Sequence, residues 1–178
     1  MLLQLADASM LPIIGENLAL GGGRSSLYMS GLIVVPQVVV AGLAPWAGYH
    51  SERRGRKPLL ILAFGIEALR ALLLAFFGSY SILLLVQLLN GISGSIIAVL
   101  TILVITDLTT GSGRFNLTTG VIGMLQAIAA AVSTTATGFL FAEFGTSVGF
   151  LAITGVAVAA TLLLWISVPE TKPSKYLD

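Results

Sequence analysis

The sequence has no cysteine and one histidine among its 178 residues. Disulfides and thiolate metal sites are excluded, and one imidazole is too little for a zinc or haem pocket. Charge is scarce as well: Asp, Glu, Lys and Arg make up 10% of the chain and leave a formal net charge of +1. No broad basic face follows from that balance, so no nucleic-acid partner is expected. A Gly-rich strand-to-helix phosphate cradle is missing, which argues against ATP as an energy source. No Ser, His and Asp set can be gathered at one depth, so the chain is not expected to be an enzyme. Nothing implies a cofactor.

What is abundant is apolar surface. The chain is 56% hydrophobic with a mean hydropathy of +0.99, far above an ordinary soluble domain. Roughly 20 apolar residues cross a hydrocarbon core as a helix, and six such runs are present, over about 2–20, 27–48, 59–78, 82–108, 117–141 and 148–168. Gly, Ser or Pro punctuates each stop. The predicted fold class is an all-α membrane protein with six transmembrane helices, multi-pass in the cell membrane. Cytoplasmic loops accumulate Lys and Arg. Arg53, Arg54, Arg56, Lys57, Arg114, Lys172 and Lys175 fall on one side of the six runs and only Arg24 on the other, which predicts that both termini are cytoplasmic.

Topology alone does not demand the composition of the loop after the second run, "YHSERRGRKP". Gly48, Glu52, Arg53, Gly55, Arg56 and Lys57 fall in the pattern G-x-x-x-E-R-x-G-R-K. Gly55 suits a tight turn, and Gly48 suits a close helix approach. An acid beside Arg53 can face the positive N-terminal end of a neighbouring helix in one arrangement of a bundle and lose it in another.

This loop resembles the signature of the major facilitator superfamily of secondary transporters, with Glu52 where that signature carries Asp. "ADASMLPIIGENLA", "DLTTGSGRFN" and "VPETK" resemble, in order, the opening helix of the family's second half, the loop before its penultimate helix and the residues after its last helix. The resemblance implies that residues 1–178 form the C-terminal six-helix half of such a transporter. It also implies a loop that latches the outward-open state, and a partner that is either a missing N-terminal half or a second copy. The first run opens without a cationic region, and Asp7, Pro12, Glu16 and Asn17 interrupt its apolar face. It reads as the later part of a helix, so a fragment is the expectation and a self-pairing half-transporter the alternative. A transport-inactive scaffold that binds a full-length homologue is a further alternative.

Charges inside hydrocarbon cost about 2.5 to 3.5 kcal/mol each on insertion scales, which singles out Asp7, Glu67 and Arg70. Glu67 and Arg70 lie three apart on one helix face and can neutralise each other; a structural pair is the first reading and ion coupling the second. Asp7 lies on a helix that the resemblance places at the transport cavity, where a carboxyl can load and release a proton or, equally, make a hydrogen-bonding helix contact. Gln87, Asn90, Gly91 and Gly94 make one polar, small-residue face. The two amides are substrate candidates and the glycines packing positions, while Gln37 beside Pro36 is a weaker site candidate. Gly123, Ala127, Ala131 and Thr135 form a small-residue ridge read as packing, which the resemblance would place against the other half. Asp107 and Arg114 read first as part of a solvated loop, with pairing to the arginine-rich loop as the alternative, and Trp165 and Tyr176 are interfacial anchors. His50 reads as part of a solvated loop. Membrane lipid and a small-molecule substrate are the expected partners.

Overall fold

The computed structural model describes residues 25–77 and 80–167, all of them helix or short connection. Five helices follow one another: α1 (Ser25–Arg54), α2 (Arg56–Phe76), α3 (Tyr80–Thr109), α4 (Phe115–Phe144) and α5 (Thr146–Ser167). All five are long and apolar enough to cross a membrane. They correspond to the second to sixth predicted runs. The first run, with Asp7, Pro12 and Glu16, lies outside the described residues.

The largest departure from the predicted boundaries is at the arginine-rich stretch, expected as a loop after Gly48. Helix α1 instead continues through Tyr49, His50 and Glu52 to Arg54. No breaker stands between Gly48 and Arg54, and the Ser51 hydroxyl donates to the Gly48 carbonyl at 2.7 Å. The chain breaks at one residue only. Gly55 adopts φ 90° and ψ 168°, a region essentially closed to residues with a Cβ. Helix α2 starts at once, and Pro58 falls in its first turn, where a missing N–H costs little.

Helix α1 packs along α3, and α2 packs against both α3 and α5. The buried apolar side chains separate into two groups. One, toward the end opposite the arginines, gathers Leu32, Leu74, Leu83, Val86, Phe150 and Ile153. The other, toward the arginine end, gathers Ala47, Leu59, Ala63, Ile96 and Leu100. A polar layer of Glu67, Arg70, Gln87 and Ser93 lies between them, each of these residues at most 1% exposed. Dry packing thus closes off both sides of the only deeply buried ionic groups among the described residues at mid-helix depth.

The α1–α3 crossing is set by Gly91. A Cβ there would stand 2.4 Å from the Val39 Cβ and 2.8 Å from the Pro36 carbonyl oxygen. The packing role expected for Gly91 is therefore met, and Pro36 lies buried beneath it. Gly48 is less constrained than its expected role requires, since a Cβ would meet only Val99 at 3.8 Å, an ordinary contact.

Helix α4 stands apart. Its buried residues are Ala129, Ser133 and Thr137, a single stripe at spacings of one turn. The small-residue ridge of Gly123, Ala127, Ala131 and Thr135 is exposed and packs on no described helix. Their small size leaves a smooth strip on the outer face of α4, flanked by the exposed Met124, Ile128 and Val132.

Gly91→Ala is expected to lower stability by about 1–3 kcal/mol through overpacking. Gly42, with nothing within 4 Å of an added Cβ, is the control: Gly42→Ala should be neutral or stabilising by up to about 1 kcal/mol. Thermal unfolding in detergent micelles separates the two, and equal losses would remove the close-contact account.

Candidate functional site

Midway along the helices the polar layer is a connected network. Arg70 donates through a terminal guanidinium nitrogen to Oε2 of Glu67 on the same face of α2, three residues away. The Ser93 hydroxyl of α3 donates to Oε1 of that carboxylate. Both carboxylate oxygens are thereby occupied, one from within α2 and one from the neighbouring helix. Ser93 also lies 3.1 Å from the Asn90 carbonyl, and the Asn90 amide donates to Oε1 of Gln87 at 3.3 Å. The pairing expected for Glu67 and Arg70 is present, and it is extended into a cross-link between α2 and α3.

Ser93 was not among the residues singled out from the sequence. The available signal was its position three residues beyond Asn90, continuing the row that starts at Gln87. Of the two candidate amides, Gln87 is fully enclosed while Asn90 is half-buried, so Asn90 is the member of the network nearest an accessible face. Gln37 is exposed on α1. Asp7 lies outside the described residues.

The second constellation surrounds Gly55. Arg56, the first residue of α2, is 5% exposed and forms an ion pair with Asp107 near the end of α3. Asp107 remains half-exposed, so the pair straddles the protein surface. For Asp107 the structure thus shows the alternative, pairing with the arginine-rich stretch, in place of the solvated loop read first, while Arg114 is exposed on the next connection. Glu52 and Arg53 point outward. Glu52 makes no hydrogen bond or ion pair among the described residues.

On the last turns of α1, His50 is not part of a solvated loop. Its ring lies 4.3 Å from that of Trp46 and 5.4 Å from that of Tyr49. The Nδ1 atom is 3.1 Å from the Trp46 carbonyl, and a carbonyl only accepts, so Nδ1 carries the proton. The Arg53 guanidinium sits 4.5 Å above the Tyr49 ring, a cation–π contact. Aromatic rings and a cation at one helix end match what a bilayer–water boundary selects. Trp165, exposed near the end of α5, sits at the same end of the bundle.

Five apolar helices, a buried ionic layer and an arginine-rich boundary together mark a multi-pass membrane protein. The chain belongs to the major facilitator superfamily, whose family model matches residues 2–177. It is 35% identical over 170 residues to an uncharacterised MFS-type transporter found in two strains of Mycobacterium tuberculosis, an alignment covering 95% of this chain and 41% of that protein. The class B tetracycline resistance protein of Escherichia coli is 45% identical over 71 residues, covering 40% of this chain and 18% of that one. The chain thus spans about two fifths of the length of the mycobacterial relatives. These relatives point to a transporter and not to an enzyme.

Glu67→Gln removes the anion while leaving the Arg70 charge in place, and is expected to cost about 3–5 kcal/mol. The double variant Glu67→Leu with Arg70→Met should recover most of that loss, because no isolated charge remains. Ser93→Ala should cost about 1–3 kcal/mol. Unfolding midpoints in micelles report all three; a double variant as unstable as the single one would show that the pair is not the source of the effect.

Proposed function

We propose that this chain supplies the C-terminal six-helix half of a secondary transporter that moves a small solute across the cell membrane by alternating access, driven by an ion gradient. In this reading the arginine end faces the cytoplasm, as do both termini, and the predicted helix over residues 2–20 completes the half. The pinned turn carries the proposal. Gly55 in a conformation open only to glycine, with Arg56 tied to Asp107, holds three helix ends in one arrangement. Glu52 is left facing outward to meet the positive end of a helix from the other half. Breaking and remaking that last contact is the latch step of the cycle.

Protons are the favoured coupling ion, with Asp7 as carrier. Glu67 is the weaker candidate, because Arg70 and Ser93 already occupy both of its oxygens. Asn90 is the favoured substrate contact, with Gln87 behind it as the group that orients its amide. The tetracycline resistance relative supports export as the direction and makes tetracycline the first compound to test. A second reading, a transport-inactive scaffold that binds a full-length homologue, draws support from the exposed small-residue ridge of α4. Both readings cover that ridge with further helices, and flux distinguishes them.

In everted membrane vesicles containing the whole protein, Glu52→Gln or Gly55→Val should slow energised tetracycline uptake at least severalfold while membrane levels stay equal. Asp7→Asn should abolish uptake driven by a pH gradient. Wild-type rates in the first pair would remove the latch, and a pH-driven flux equal to wild type in the last would remove Asp7 as carrier. No flux of any tested solute in the parent protein would favour the scaffold.

A further inference from the structure

Helix α4 is held closely at one end and loosely along the rest. Near Gly145 the Phe141 ring stands edge-on to the Phe150 ring of α5, centroids 4.9 Å apart at 89°, a favoured aromatic geometry. The same ring rests on Gly149, where a Cβ would stand 2.4 Å from it, and it packs against the buried group that contains Phe150 and Ile153. Gly145 alone joins α4 to α5, at φ 81° and ψ 171°. It is exposed, whereas Gly55 is buried, so its backbone can adjust without disturbing a neighbour.

Away from that end α4 parts from the bundle. An open-sided gap of about 150 Å³ lies between Val132, Ala136 and Leu140 of α4 and Ala152 and Val156 of α5. Further along, toward the arginine end, an open-sided cavity of about 270 Å³ separates Ile122 and Gln126 of α4 from Thr101 and Val104 of α3, Leu60 of α2 and Leu164 of α5. The space thus widens with distance from Phe141, as a wedge does. The residues that α4 buries are Ala129, Ser133 and Thr137. All three are small, so a tilt of α4 withdraws few atoms from contact, whereas lifting Phe141 from Gly149 uncovers a whole ring. Residues 110–117, which lead into α4, are all exposed, and Gly111 and Gly113 stand there at φ 79° and 66°.

We propose that α4 swings as a rigid helix about the contact of Phe141 with Gly149, its arginine end moving toward and away from α2, α3 and α5. By the helical rise, about 39 Å of helix separates Phe141 from Phe115, so a tilt of about 10° carries the arginine end through about 7 Å while Phe141 stays seated. Moving inward, α4 closes the larger cavity on Leu60, Val104 and Leu164. Moving outward, it opens a cleft along the bundle. The motion is internal to these five helices. It is separate from the transport reading, in which the half can move as one body, and either can fail without the other.

The chain has no cysteine, so spin labels can be placed at chosen pairs in the whole protein in lipid nanodiscs, with any cysteine elsewhere replaced by serine. Leu117 of α4 with Leu62 of α2 reports the arginine end, and Phe139 of α4 with Leu72 of α2 the pivot end; all four side chains are exposed. Pulsed dipolar spectroscopy should give a distance distribution for the first pair broader by about 5 Å than that for the second, from the same helical geometry. Val104→Phe, which fills part of the larger cavity, should remove the short distances of the first pair and leave the second unchanged. Gly149→Ala, which drives the Phe141 ring off its seat, should broaden the second pair as well; where that variant does not fold, Phe141→Leu serves in its place. Equally narrow distributions for both pairs would show the five helices to be one rigid body and overturn the proposal. A broad Phe139–Leu72 distribution in the parent protein would mean that α4 comes away along its whole length, with no pivot, and overturn it equally.

Discussion

Hydrocarbon offers no solvent for a charge, and the described helices are organised around the place where, among the described residues, charges are nonetheless kept deep inside. Glu67 and Arg70 persist at mid-helix because each meets the other, because Ser93 occupies the remaining carboxylate oxygen, and because apolar groups close the layer on both sides. Such a pair contributes little net stability over a hydrophobic isostere, while its rupture is expensive. Its physical effect is therefore register. α2 and α3 can pass one another only at a cost that rises as soon as Ser93 leaves the carboxylate. The close contact of Gly91 with Val39 and Pro36 fixes α1 against α3 near the same depth. Three helices are thus pinned close together, and their ends have most of the remaining freedom.

Much of this was legible in the sequence because the bilayer restricts the options. Long apolar runs have to be helices, so five spans were visible to within a few residues at most boundaries. The ionic pair was visible as well, because three-residue spacing on a helix leaves two opposite charges little choice but each other. The arginine-rich stretch was harder. Charged and polar residues there read as a loop, yet nothing in Tyr49–Arg54 disfavours a helix, and the local hydrogen bond of Ser51 with the ring stack on His50 favours one. Composition described the solvent at that position and not the backbone.

The partners across space were the least legible part. Ser93 sits 26 residues from Glu67, and no local pattern pairs a helix serine with a carboxylate on another element. The partner of the ridge on α4 is illegible for a related reason. Small residues at every fourth position state that something approaches closely, without stating what, and none of the described helices does so. The cavity beside Thr101 and Gln126 is likewise a property of how four helices diverge, which periodicity along any one of them does not record.

The single-residue joint at Gly55 has a mechanical consequence. Two consecutive helices linked by a longer loop move as separate rods, but α1 and α2 share one φ and one ψ, both held at values that few residues tolerate. Torsion applied to either helix at this joint cannot dissipate in slack chain and passes directly to its neighbour. The two rods then behave as a single bent lever with its fulcrum at the glycine, and Arg56, gripping Asp107, transmits its tilt to α3.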